Sequence, residues 1–212
     1  MTNFVEPRNV RQVLDKHILA DGYDVVIDLE KSHDSWIIDA VTGREYLDMF
    51  SMFASGAIGY NHPTLVANRD RLLSAAINKP TLSDIYTREY AEFVETFDEV
   101  GIPDYLPYAF FIEGGGLAVE NALKAAFDWK VRKNLAAGNG EKGSKVIHFE
   151  KCFHGRTGYT MSLTDSPDPR KTLYFPKFDW PRVSHPTLRF PTTDDVIREV
   201  EASEARAIDE IK

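Results

Sequence analysis

A short apolar run, three glycines and a long helical period follow one another between Ala109 and Leu135, and this order constrains the fold more than any other stretch of the chain. Ala109-Phe110-Phe111-Ile112 predicts a buried strand. Glu113-Gly114-Gly115-Gly116 then turns the chain, and apolar residues recur at helical spacing from Leu117 to about Leu135. Gly138, Gly140 and Gly143 break that helix, and Lys145-Val146-Ile147-His148-Phe149 predicts a second strand. Strand, helix and strand in succession predict an α/β fold, a mostly parallel sheet with flanking helices, because a helical crossover brings the chain back to the same edge of the sheet.

Residues 23–48 have a different texture. The pieces YDVVIDLE, SWIIDAVTG and REYLDM cluster β-branched and aromatic residues between turn-formers such as Gly43, which predicts a small N-terminal antiparallel sheet. From Asn61-His62-Pro63 onward Leu65, Val66, Leu72, Leu73, Ala76 and Ile77 recur at helical spacing. Tyr86, Tyr90, Phe93, Val94 and Phe97 do the same after Ser83 and Asp84, which suit an N-cap. Residues 150–193 read as irregular. Thr193-Asp194-Asp195 then caps a helix carrying Val196, Ile197, Val200, Ala207, Ile208 and Ile211. No glycine or proline stops this pattern before Lys212, so a cut inside or just after an element is expected here.

With 25 Lys+Arg against 33 Asp+Glu the chain carries a formal charge of −8, which argues against a nucleic-acid partner. Its 43% hydrophobic and 27% charged residues are globular proportions, so disorder is not expected. No apolar run approaches the roughly 20 residues of a membrane span, and charges sit where a signal peptide needs its apolar stretch. A soluble, cytoplasmic protein is expected. Cys152 is the only cysteine, so it has no disulfide partner, and the sequence offers no metal site around it; a buried bystander is the simplest role.

Two segments could carry chemistry. Glycines between a strand and a helix let backbone N–H groups and the positive end of the helix dipole face an anion, with phosphate the natural guest. The same three glycines could equally make a tight turn without a ligand. Leu117-Ala118-Val119 replaces the Gly-Lys-Ser/Thr ending of a nucleotide P-loop, and the spacing of a dinucleotide fingerprint is absent. The second segment, Phe153-His154-Gly155-Arg156-Thr157-Gly158, follows the second predicted strand, where a parallel sheet presents ligands. An aromatic ring, an imidazole and a guanidinium within four residues could stack on a planar cofactor and clamp a carboxylate. A core Phe, a capping His and a solvated Arg are the plainer alternative.

Together, EGGGLAVENALKAAFDWK and FEKCFHGRTGYTMSLTDSPDPRKTLYFPKFDWPR resemble the corresponding stretches of class III, fold-type I aminotransferases, which use pyridoxal 5′-phosphate (PLP). Within that family, FASGAIGYNHP, GLAVENALKAAFDWK and FPKFDWPR are similar to the branch acting on the ε-amino group of lysine. The resemblance runs from about residue 8 to 200 and implies a division into residues 1–60, a segment of the small domain, and 61–212, the first part of the PLP-binding large domain. It implies that Gly115 and Gly116 give N–H groups to the PLP phosphate, although most of the family has threonine or a similar residue at the position of Gly116. Phe153 would stack on the pyridine ring, His154 would stand beside it, and Arg156 would hold the carboxylate of L-lysine in one half-reaction and of 2-oxoglutarate in the other. Glu120 also matches the family, on the first turns of the helix.

The family further needs a lysine that bonds the cofactor and an acid facing its pyridine nitrogen. None of the 12 lysines here lies in the family's context for that role, and the Asp-Glu-Val-Gln type segment is absent. The resemblance therefore implies the N-terminal half of an enzyme that forms a homodimer at full length. Two other readings stay open: a relative acting on ornithine or 4-aminobutyrate, and a non-catalytic phosphate-binding or assembly module.

Overall fold

In the computed structural model, which describes residues 4–80 and 84–212, one carboxylate organises the first sheet. Asp39 accepts hydrogen bonds from the Val26 and Val41 N–H groups, both at 3.2 Å, and from the N–H and hydroxyl of Thr42 at 3.2 and 2.5 Å. The Thr42 hydroxyl and then the backbone donors outweigh burial and hold this carboxyl below its ordinary range. Around it β1 (Trp36–Ile38) pairs antiparallel with β2 (Glu45–Leu47), with Trp36 opposite Leu47. The first of the three predicted pieces contributes only the Ile27–Asp39 bridge. Asn61 pins the sheet to the chain that follows, donating to the Leu29 and Ser32 carbonyls at 2.8 and 2.6 Å.

Packing groups Met1–Tyr105 as one compact unit and Leu106–Lys212 as another. The residues on both sides of position 60 lie in the first unit. That unit also contains α1 (Val10–Leu14), a left-handed turn α2 (Ser51–Ala54), α3 (Pro63–Ala67), α4 (Arg69–Ile77) and α5 (Arg88–Val100). The apolar period after Pro63 is thus two helices broken at Asn68, whose side-chain amide bonds back to the Thr64 carbonyl at 2.8 Å. Helix α5 starts later than its sequence signals suggest. Thr87 caps it by accepting from the Tyr90 N–H at 3.2 Å, so Asp84 is not the cap, and Ser83 lies outside the described residues.

The second unit contains α6 (Gly115–Ala136), β3 (His148–Phe149), α7 (Gly158–Leu163), β4 (Arg182–Val183) and α8 (Asp194–Ile211). Helices α6 and α8 match their predicted extents, and Thr193 caps α8 by accepting from Val196 N–H at 3.4 Å. The mostly parallel sheet does not. It is reduced to the β3–β4 pair, parallel, with His148 opposite Arg182 and Phe149 opposite Val183. Residues 109–112 are not a strand, and Lys145–Phe149 contributes only its last two residues. A strand exists through its ladder, and among the described residues 109–112 belongs to no strand or β-bridge. The apolar run marks residues suited to burial, yet Phe110 is 73% exposed.

The core of this unit is small and partly polar: Leu163, Val183 and Ala207 with Thr160, Ser162, Thr164, Thr172 and His148. His148 is held in one tautomer, because Nδ1 faces the Val146 carbonyl at 3.3 Å while Nε2 accepts from Arg182 Nε at 3.1 Å. Burial, helped by the Arg182 guanidinium and opposed by the Val146 carbonyl, pushes its pKa below the ordinary value, so the ring stays neutral near pH 7. Beside this core, Phe127 of α6 packs edge-on against Tyr159, and Phe178 stacks on Trp180 at 4.9 Å. Much apolar surface is left uncovered. Tyr108, Tyr174 and Phe190 of this unit are each more than 80% exposed. Among the described residues no helix is long and apolar enough to cross a membrane.

Candidate active site

The N-terminus of α6 is bare. Gly114, its N-cap, has φ 85° and ψ 147°, no side chain caps the helix, and no acidic residue lies in its first turn. A Cβ on Gly114 or Gly115 would meet nothing within 4 Å. The first N–H groups and the positive end of a 22-residue helix thus open onto free space, an arrangement that accepts an anion. Only Gly114 needs glycine for its backbone; Gly115 and Gly116 have ordinary helical φ, so their value lies in close approach.

A second loop supplies the remaining candidates. After β3 the chain is tied to the end of α7: the Lys151 N–H donates to Asp165 at 2.8 Å and the His154 N–H to the Thr164 hydroxyl at 2.9 Å. That hydroxyl in turn donates to the Gly155 carbonyl at 2.8 Å. The half-buried Cys152 thiol has the Phe149 and Leu163 carbonyls as acceptors, at 2.8 and 3.1 Å. With the backbone so fixed, the Phe153 ring stands 65% exposed. The Arg156 guanidinium lies 6.0 Å from the centre of that ring and pairs with no carboxylate among the described residues. His154 is half-buried and close enough to His148 to disfavour charge there.

The two loops meet at their glycines. Gly155 has φ 121°, and a Cβ on it would fall 2.8 Å from the Gly116 Cα and 3.0 Å from the Thr160 hydroxyl oxygen. A Cβ on Gly116 would make only ordinary contacts, 3.7 Å from the Gly155 Cα and from the Thr157 methyl. Gly115 and Gly116 therefore sit beside the loop that carries Phe153, His154 and Arg156. The sequence reading of Glu120 was incomplete: its carboxylate accepts from the Thr157 hydroxyl and from the Tyr159 N–H at 3.1 Å. The available signals were the four-residue spacing from Gly116 to Glu120, which puts both on one helix face, and the Thr157-x-x-Thr160 capping pattern.

Compared with known proteins, residues 18–212 match the family Aminotransferase class-III. The chain belongs to the class-III aminotransferases. It is 51% identical over 207 residues to the L-lysine-epsilon aminotransferase of Amycolatopsis lactamdurans, covering 96% of this chain and 46% of that protein. A 4-aminobutyrate aminotransferase of Dictyostelium discoideum is 34% identical over 203 residues, covering 87% of this chain and 40% of that protein. Among solved structures, a lysine aminotransferase from M. tuberculosis superimposes with a TM-score of 0.89 at 48% identity, covering 98% of this chain and 48% of that one. The class-III aminotransferase fold is therefore present here as a mixed α/β structure with few strands. The chain spans about half the length of the curated relatives it matches.

Proposed function

We propose that this chain supplies the phosphate cup and the carboxylate clamp of a PLP-dependent aminotransferase, which moves the ε-amino group of L-lysine to 2-oxoglutarate and yields 2-aminoadipate 6-semialdehyde and L-glutamate. The observation that carries this reading is the approach of Gly116 to Gly155, which sets the open end of α6 against the loop bearing Phe153 and Arg156. The preference for lysine over 4-aminobutyrate rests on the identities, 51% against 34%.

When bound, PLP supplies an aromatic ring that draws electrons from the carbon carrying the amino group. The residues of this chain hold and orient. Gly115 and Gly116 give N–H groups to the phosphate, Phe153 stacks on the ring, and His154 stands beside it. Arg156 grips the α-carboxylate of lysine and then a carboxylate of 2-oxoglutarate in bidentate fashion. In this reading none of the 12 lysines of this chain bonds the cofactor. Residues 1–60 belong to the smaller domain in this reading and 61–212 to the first part of the cofactor domain. The family resemblance is what supports a homodimer of the intact enzyme.

PLP titration of the full-length protein tests the cup. Gly115→Val places a branched side chain in the open space before the helix, and it should weaken PLP binding on the order of tenfold while the helical circular dichroism stays unchanged. Gly116→Thr should bind PLP at least as well as the parent, since a Cβ fits there and the added hydroxyl can reach the phosphate. Unchanged affinity in a folded Gly115→Val protein would move the phosphate elsewhere.

A further inference from the structure

Glu120 makes more contacts than a helix-surface carboxylate needs. From α6 it reaches the first turn of α7, accepting from the Tyr159 N–H at 3.1 and 3.3 Å, from the Thr160 N–H at 3.4 Å and from the Thr157 hydroxyl. A Cβ on Gly158 would fall 3.4 Å from its Oε1, so the carboxylate lies against the backbone there. Helix α7 already has a complete capping box of its own, in which the Thr157 and Thr160 side chains each serve the other's N–H. A carboxylate from another helix is therefore not required to cap it.

Its place in the chain suggests what it does. Glu120 lies one turn beyond Gly116 on the same face of α6, and Thr157 directly follows Arg156. The Gly116–Gly155 approach is a van der Waals contact, which resists compression and does not pull the two segments together. The hydrogen bonds to Glu120 supply that pull. We propose that Glu120 is a positioning residue that ties the Phe153–Arg156 loop to α6 through Thr157 and the first turn of α7, and so fixes the distance between the phosphate cup and the guanidinium. This rests on the reading of the site given above. The carboxylate is maintained as an anion: burial raises its pKa, but the bonds from Thr157, Tyr159 and Thr160 more than reverse this, with Lys124 adding to them.

The test uses the full-length, PLP-loaded protein with Glu120→Ala, Glu120→Gln and Thr157→Val. Glu120→Ala should raise the KM for 2-oxoglutarate on the order of tenfold and change the PLP dissociation constant less than twofold, because the N–H groups of α6 remain. Glu120→Gln, which keeps an acceptor of the same shape, should fall between the two, and Thr157→Val should move KM in the same direction. In an Arg156→Ala background, Glu120→Ala should have no further effect on KM. In the cofactor-free protein, amide hydrogen exchange across 153–160 should quicken in Glu120→Ala while exchange in 121–136 does not. A purely structural role would lower the melting temperature and leave KM within twofold in all three variants, and that result would overturn the proposal. Failure of the parent protein to bind PLP would instead overturn the reading of the site, and the proposal with it.

Discussion

In the full-length protein, Arg156→Ala is expected to lower kcat/KM by about 30- to 700-fold toward both lysine and 2-oxoglutarate, corresponding to about 2–4 kcal/mol for a lost charge-assisted pair. The effect falls on both substrates because each presents a carboxylate to the same guanidinium in its own half-reaction. Arg156 is suited to this because no carboxylate among the described residues competes for it, and its guanidinium lies 6.0 Å from the centre of the Phe153 ring. Arg156→Lys should recover only part of the loss, since an ammonium cannot reproduce the planar fork. Steady-state kinetics with each substrate varied in turn measures both effects. Parental kinetics in Arg156→Ala would remove the clamp from this residue.

Gly155→Ala should damage both the packing and the binding loops of the second unit. Its Cβ would come within 2.8 Å of the Gly116 Cα and 3.0 Å of the Thr160 hydroxyl oxygen, and φ of 121° is a conformation that L side chains rarely adopt. Backbone strain of about 1–3 kcal/mol adds to an overpacking cost of similar size. Because the contact lies between the two binding loops, the change should lower the melting temperature and weaken PLP binding together. Gly116→Ala is the matched control, with its Cβ at 3.7 Å from its nearest neighbours, and should do neither. Equal stability of Gly155→Ala and the parent would mean that the two glycine segments do not pack as described.

What could be read in the sequence was whatever depends on neighbours along the chain. The glycine turn and the helix after it, the cap at Thr193, and the antiparallel pairing of Trp36–Ile38 with Glu45–Leu47 follow from local periodicity and local polar groups. The run Ala109–Ile112 shows the limit of that logic, since apolar composition does not specify which strand will pair with it. The start of α5 shows a different limit. Ser83, Asp84 and Thr87 can each serve as a cap, and the choice depends on which oxygen reaches an N–H, here Thr87 with Tyr90. At the candidate site, Gly115, Gly116, Phe153, His154 and Arg156 could be named from two motifs and a family resemblance. The tie made by Glu120 is less legible, because its partners lie 37 to 40 residues away and only the helix spacing and the Thr157-x-x-Thr160 pattern hint at it.

Transfer of the ε-amino group is the central claim, and nitrogen labelling tests it most directly. The full-length protein is incubated with PLP, 2-oxoglutarate and L-lysine carrying ¹⁵N at either the ε or the α position, and the glutamate formed is analysed by mass spectrometry. The account predicts labelled glutamate from ε-¹⁵N-lysine and unlabelled glutamate from α-¹⁵N-lysine. Label arriving from the α position, or no glutamate from lysine while 4-aminobutyrate or ornithine is consumed, would contradict it.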